Sequence, residues 1–178
     1  MTLQEYQRTP ETVLPQELVD GVVRVADAPF VPHQRLVLKL AMSLEVHVQR
    51  LGLGEIFVAP VDVVLDSARP LVVQPDLLFV SAARAAIVRD RIDGPPDLVV
   101  EVLSPNPRIG RLDERVDWFA QYGVAEIWLL HQFRRQLEIL TCRGRRIVGA
   151  TVAERADIVR SSVLPGLQVP LGTMLATW

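Results

Sequence analysis

The segment Asp97-Leu98-Val99-Val100-Glu101-Val102-Leu103 is apolar and rich in valine except at its first and fifth residues. A run with so little polar alternation fits a strand buried on both faces, at the centre of a sheet with layers on either side. Its interior carboxylate is the anomaly, because a buried carboxylate costs several kcal/mol unless a cation, a proton or hydrogen bonds compensate. A second run has the same character: Val72 to Val80 reads as a strand with Asp76 inside it. Two such acids, on separate strands of one sheet, can converge on a single divalent ion. Carboxylate oxygens completed by water suit Mg²⁺ or Mn²⁺. Either acid alone is as readily a satisfied structural group paired with an arginine. As a pair without basic sequence neighbours, they favour a metal site.

The rest of the chain supplies the layers. Residues 1–19 form an N-terminal arm whose first fifteen or so residues are polar, with Pro10 and Pro15, and read as irregular or as a short helix. Gly21 to Ala26 has a short strand pattern. From Pro32 to about Leu51, Leu36, Val37, Leu40, Leu44, Val48 and Leu51 recur at three and four, which predicts an amphipathic helix. Gly52 suits the left-handed residue after its last turn. Ile56–Ala59 and Val61–Leu65 read as strands, and the Ser67-Ala68-Arg69-Pro70 break predicts a hairpin with the run at Val72. Ser81–Arg91 reads as a short helix or turn. Leu112–Tyr122 forms a second helix ended by Gly123, and strands follow at Glu126–His131 and Gln136–Thr141. The tail to Trp178 holds one or two short strands. The fold class is therefore α/β (α+β), one mixed sheet flanked by helices, in a single domain over 1–178 with its core at about 20–141.

Composition removes several function classes. No window of about 18 residues is apolar and uncharged, so no membrane span is expected. The first twenty residues lack the apolar core of a secretory signal. Cys142 is the only cysteine, so it can form no internal disulfide, and a reducing, cytoplasmic location is expected. A net charge of −2 argues against a protein coated for non-specific nucleic-acid binding but leaves room for a local arginine patch. Only one of the 19 basic residues, Lys39, is lysine.

The order and spacing of these pieces resemble the Uma-type putative restriction endonuclease family, a branch of the PD-(D/E)xK nucleases. The resemblance rests on Pro32-His33-Gln34 opening the long helix, the Phe57–Leu65 run, and Gln74-Pro75-Asp76-Leu77. It continues through Pro96-Asp97 to Ser104-Pro105 and Tyr122-Gly123 to Leu129. It implies a restriction-endonuclease-like core in which Asp76 and Glu101 bind the catalytic metal, assisted by the Val102 carbonyl. The ion would activate a water and offset charge on the transition state. It also implies an accessory role for His33 near the metal, and DNA as the partner.

The superfamily's lysine two positions after the Glu is Leu103 here, a position where this family commonly carries an apolar residue. The chain departs from the family's own pattern at three places: the lysine the family carries on the following helix falls at Arg115, and aspartates usual before that helix and after the Trp strand fall at Arg111 and His131. Arginine can bind phosphate bidentately and supply charge, but it cannot act as a base at neutral pH. Lys39 lies about 120° around the helix from His33, so it should point away from the site.

Arg108, Arg111 and Arg115 share a helical spacing and are candidate phosphate contacts. Arg134, Arg135, Arg143, Arg145 and Arg146 form a second basic cluster, which reads more readily as a solvated hairpin than as a phosphate-binding patch. Asp62, Asp66 and Asp97 read as turn or strand caps, His47 as a packing or surface residue, and Cys142 lacks the partners of a nucleophile.

The leading expectation is thus a Mg²⁺- or Mn²⁺-dependent endonuclease acting on DNA, with Asp76, Glu101, Arg115 and His33 catalytic. Its rivals are a catalytically silent nuclease fold that binds DNA or protein, and an enzyme of the same fold acting on RNA or another phosphodiester. Two-strand cleavage would call for a symmetric homodimer, although no dimer helix stands out in the sequence.

Overall fold

The computed structural model describes residues 1–10, 14–26, 28–103 and 112–175. A short helix, α1 (Leu3–Gln7), is closed by reciprocal hydrogen bonds between Thr2 and Glu5. It leads into a hairpin of β1 (Gln16–Val19) and β2 (Val22–Val25). The hairpin turn is Asp20-Gly21, both with positive φ, the combination that matches the twist of the flanking strands.

The periodic segment forms α2 (Val31–Leu51), and Gly52 closes it at φ 61°. β3 (Gly54–Val58), β4 (Val63–Asp66), β5 (Leu71–Val73) and β6 (Leu77–Ser81) follow. Gly54 is held so close to β6 that a Cβ there would lie 2.1 Å from the Val80 carbonyl. A 3₁₀ turn (Ala82–Ile87) and β7 (Ile92–Asp93) precede β8 (Leu98–Leu103). Then come α3 (Leu112–Tyr122), β9 (Glu126–His131), β10 (Gln136–Arg143), β11 (Arg146–Ala153), β12 (Ile158–Val159), β13 (Val169–Pro170) and α4 (Leu171–Leu175).

The strands divide among sheets, which corrects the single sheet expected from the sequence. A six-stranded mixed sheet runs β11-β10-β9-β8-β6-β3, a five-stranded one runs β2-β1-β5-β4-β7, and β12 pairs with β13. The division falls at Gln74-Pro75-Asp76. β5 pairs with β4 in the smaller sheet, confirming the hairpin, whereas β6 pairs with β3 and β8 in the larger one. Pro75 has no N–H to give a ladder, so a break there is cheap. Asp76 therefore lies between two strands rather than within one.

β8 and β9 pair in parallel at the centre of the larger sheet, and their side chains alternate between two cores. Val100, Val102 and Trp128 pack with Leu40, Leu44 and Met174 beneath α2 and α4. Val99, Ile127 and Leu129 pack with Phe119 of α3 and with Val63 and Val73 of the smaller sheet. Full burial of side chains of this size contributes about 1.5–3 kcal/mol each. Burial on both faces makes β8 a rigid mount for whatever projects from its carboxyl end.

Candidate active site

Asp76 precedes β6, and Glu101 stands near the carboxyl end of the adjacent, antiparallel β8, so both occupy one end of the six-stranded sheet. The first turn of α2 brings His33 there, and the first turns of α3 bring Arg115. The backbone N–H of Val102 donates to Asp76 Oδ2 at 2.7 Å, and His33 Nε2 lies 3.1 Å from the same oxygen. In an extended strand the N–H and C=O of one residue face the same neighbour, so the Val102 carbonyl is also directed to the side of Asp76 and His33.

Arg115 is buried and its hydrogen bonds go to carboxylates. Nη1 donates to both Glu17 oxygens at 2.7 Å, while Nε and Nη2 donate to Glu101 Oε1 at 3.2 and 2.6 Å. The guanidinium also lies 5.7 Å from the Phe119 ring centroid. Glu17 accepts a further bond from the Gln74 N–H at 2.8 Å. That bond ties β1 to the segment carrying Asp76.

Three carboxylates therefore gather around one arginine and one histidine. Burial pushes the Glu101 carboxyl up to about 7; the Arg115 charge opposes this, and the Asp76 and Glu17 charges add to it. Burial alone would lower the His33 pKa. The Asp76 hydrogen bond, with the Asp76 and Glu101 charges and the Val102 backbone, outweighs it and raises the imidazole. The Arg115 guanidinium is likewise held charged by Glu101 and Glu17 against its own burial. Among the described residues, His33 Nδ1 is buried without a hydrogen-bond partner.

Among the described residues, no group of three or more His, Cys, Asp or Glu is arranged to hold a metal. The donor set on offer is smaller: two carboxylates and the Val102 carbonyl, with the remaining positions left to water. Three carboxylates against the single charge of Arg115, with Glu101 already pushed toward protonation by burial, are compatible with a site for a hard divalent ion.

The other sequence candidates fall as follows. Arg108 and Arg111 lie outside the described residues. Lys39 is on a flank of α2, turned from the buried His33 face. His47 pairs with the Pro165 carbonyl and His131 with Glu138, at 3.1 and 3.3 Å. Asp97 accepts from Ser81 and Arg84, Asp66 from Ala68, Arg69 and Tyr122, and Asp62 from Gln74 and Tyr6. Cys142 is buried, and burial raises its thiol pKa.

The second basic cluster is not one patch. Because Leu103 pairs with His131 in parallel strands, the turn carrying Arg134 and Arg135 emerges at the same sheet end as Glu101. β10 then runs eight residues, about 26 Å, to the turn carrying Arg143, Arg145 and Arg146 at the far end.

Glu17 was missed by reading residues 1–19 as an N-terminal arm. The signal was present in Leu18-Val19-Asp20-Gly21-Val22-Val23, an Asp-Gly turn between apolar pairs. Strand alternation from the buried Val19 would then have placed Glu17 on the same inward face.

Comparison with known proteins bears on the family and the fold. The family model Uma2, described as putative restriction endonuclease, matches residues 3–172. Among solved structures, a protein from Anabaena variabilis described as a putative nuclease belonging to DUF820 superposes with a TM-score of 0.81 at 16% identity. That match covers 99% of this chain and 98% of the other. At that identity the likeness speaks for the fold. No curated protein gives a significant match.

Proposed function

The chain belongs to the Uma2 family of putative restriction endonucleases, and from that membership and the site's geometry we propose that it is a metal-dependent nuclease hydrolysing DNA phosphodiesters. The observation that carries this reading is Glu101 beside Asp76: two carboxylates brought together at one end of a rigid central strand.

Asp76, Glu101 and the Val102 carbonyl would hold Mg²⁺ or Mn²⁺, which when bound supplies Lewis-acid stabilisation and an activated water. The chain's own residues set up that site. The Val102 N–H and His33 fix the Asp76 carboxylate in place. Arg115 holds Glu101 by one oxygen and keeps a positive charge next to it, while Glu17 anchors the guanidinium from the opposite side. Arg115 is thus a positioning residue. With its N–H groups largely spent on carboxylates, it acts on the reaction through Glu101.

The turn bearing Arg134 and Arg135 shares this end of the sheet and would neutralise phosphates of a bound duplex. Nicking of supercoiled plasmid in Mg²⁺ or Mn²⁺ tests the proposal. Activity should vanish in Glu101→Ala and in EDTA; equal cleavage by Glu101→Ala, or none with any divalent ion, counts against it.

A second reading has one specific observation in its favour. Arg115 already engages Glu101 as a salt-bridge partner, so the fold could persist without metal as a binding module. Calorimetry with Mn²⁺ separates the two, since the silent form would take up no ion while still associating with DNA in a salt-sensitive way.

A further inference from the structure

The long helix α2 is two-faced in a way that a solvated surface does not require. His33, Leu36, Val37, Leu40, Leu44, His47 and Val48 are buried against the sheet. The opposite face carries Val31, Leu38, Met42 and Val46, which are 70%, 58%, 56% and 70% exposed. The outer seam runs Val31, Arg35, Leu38, Met42, Glu45, Gln49, spaced four, three, four, three, four. That spacing sets all six on one line along the helix, with apolar Leu38 and Met42 at its middle and polar Arg35, Glu45 and Gln49 toward its ends.

The two charges on this seam indicate the occupant. They sit symmetrically about the level of Leu40, as do Leu38 and Met42, and Val31 and Gln49. A second copy of α2 packed antiparallel about a two-fold axis at that level would set Leu38 against Met42 of the partner subunit. It would also set Arg35 against Glu45 of the partner subunit, and each contact would occur twice, as a two-fold interface requires. A parallel pairing in register would instead oppose arginine to arginine and glutamate to glutamate, so the charge pattern selects one orientation.

We infer that the outer face of α2 is a homodimer interface, closed by antiparallel, two-fold packing of α2 against α2. The helix is about 30 Å long, so a contact confined to it lies at the small end of interface sizes, where association is weak and reversible. The assembly is independent of what the Asp76–Glu101 site does, and its test needs no substrate.

Sedimentation velocity over roughly 1 to 300 µM should show a monomer–dimer equilibrium. Arg35→Glu and Glu45→Arg should each weaken it about tenfold, and the double variant should restore it. Circular dichroism should be unchanged throughout, because these side chains are partly or fully exposed. The register is read by oxidative cross-linking: a mixture of Leu38→Cys and Met42→Cys proteins should link faster than either alone. A chain that stays monomeric at all concentrations, a charge swap that fails to restore association, or preferential Leu38→Cys self-linking would each overturn the inference.

Discussion

Glu17, on the first strand, receives two hydrogen bonds of 2.7 Å from a single nitrogen of Arg115, on the third helix. Both side chains are buried, so neither can fall back on water when the other is removed. Breaking such a pair from one side costs about 3–5 kcal/mol. Arg115→Ala should therefore destabilise the fold by that order in urea unfolding, because it strands Glu17 and Glu101 together. Glu17→Gln should cost less, since an amide still accepts from Arg115. Equal stability of wild type and Arg115→Ala would mean the cluster is solvated.

The raised Glu101 pKa gives the metal-free protein a signed pH dependence. Its folded value of about 7 lies above the ordinary 4.5, so between these the folded state binds more protons than the unfolded one. The contribution of this group to stability is then complete below about pH 4.5 and is lost as pH rises through 7. Unfolding in EDTA at several pH values should show that decline, and Glu101→Gln should flatten it. Mn²⁺ must displace the proton, so its affinity should rise over the same interval.

Charge at the two ends of β10 should be unequal in effect. Arg134→Ala with Arg135→Ala should weaken duplex binding and lower the salt slope by about 1–2. Replacing Arg143, Arg145 and Arg146, at the far end, should leave both nearly unchanged. Fluorescence anisotropy in a salt series, with Ca²⁺ in place of Mg²⁺, reads the difference.

Glu126 is a buried acid with a purely structural set of partners. It accepts from the Trp128 indole at 2.7 Å and from the Ser162 N–H and hydroxyl at 2.7 and 2.5 Å. Glu126→Ala leaves those donors unpaired and should cost about 2–4 kcal/mol while leaving Mn²⁺ binding intact. Thermal unfolding and calorimetry on the same variant check both halves.

These acids mark where the sequence was legible. Glu101 stood out because apolar residues flank it on both sides, and the 3.6-residue period of 32–51 fixed α2 almost to the residue. Glu17 and Glu126 are more deeply buried than Glu101 but lie at strand starts beside polar or small residues, where a carboxylate draws no notice. The division of 72–80 between two sheets was hidden as well: Pro75 marks the break, but which neighbours its halves choose depends on distant strands. The pairing of Arg115 with Glu17 joins the chain's first strand to its third helix, a distance no local pattern spans.

The metal centre is tested most directly by anomalous diffraction from crystals soaked in Mn²⁺. A peak about 2.1 Å from carboxylate oxygens of both Asp76 and Glu101, lost in Glu101→Gln crystals, is the expected result. A map with no peak there at saturating Mn²⁺, and Glu101 still bound to Arg115, would contradict it.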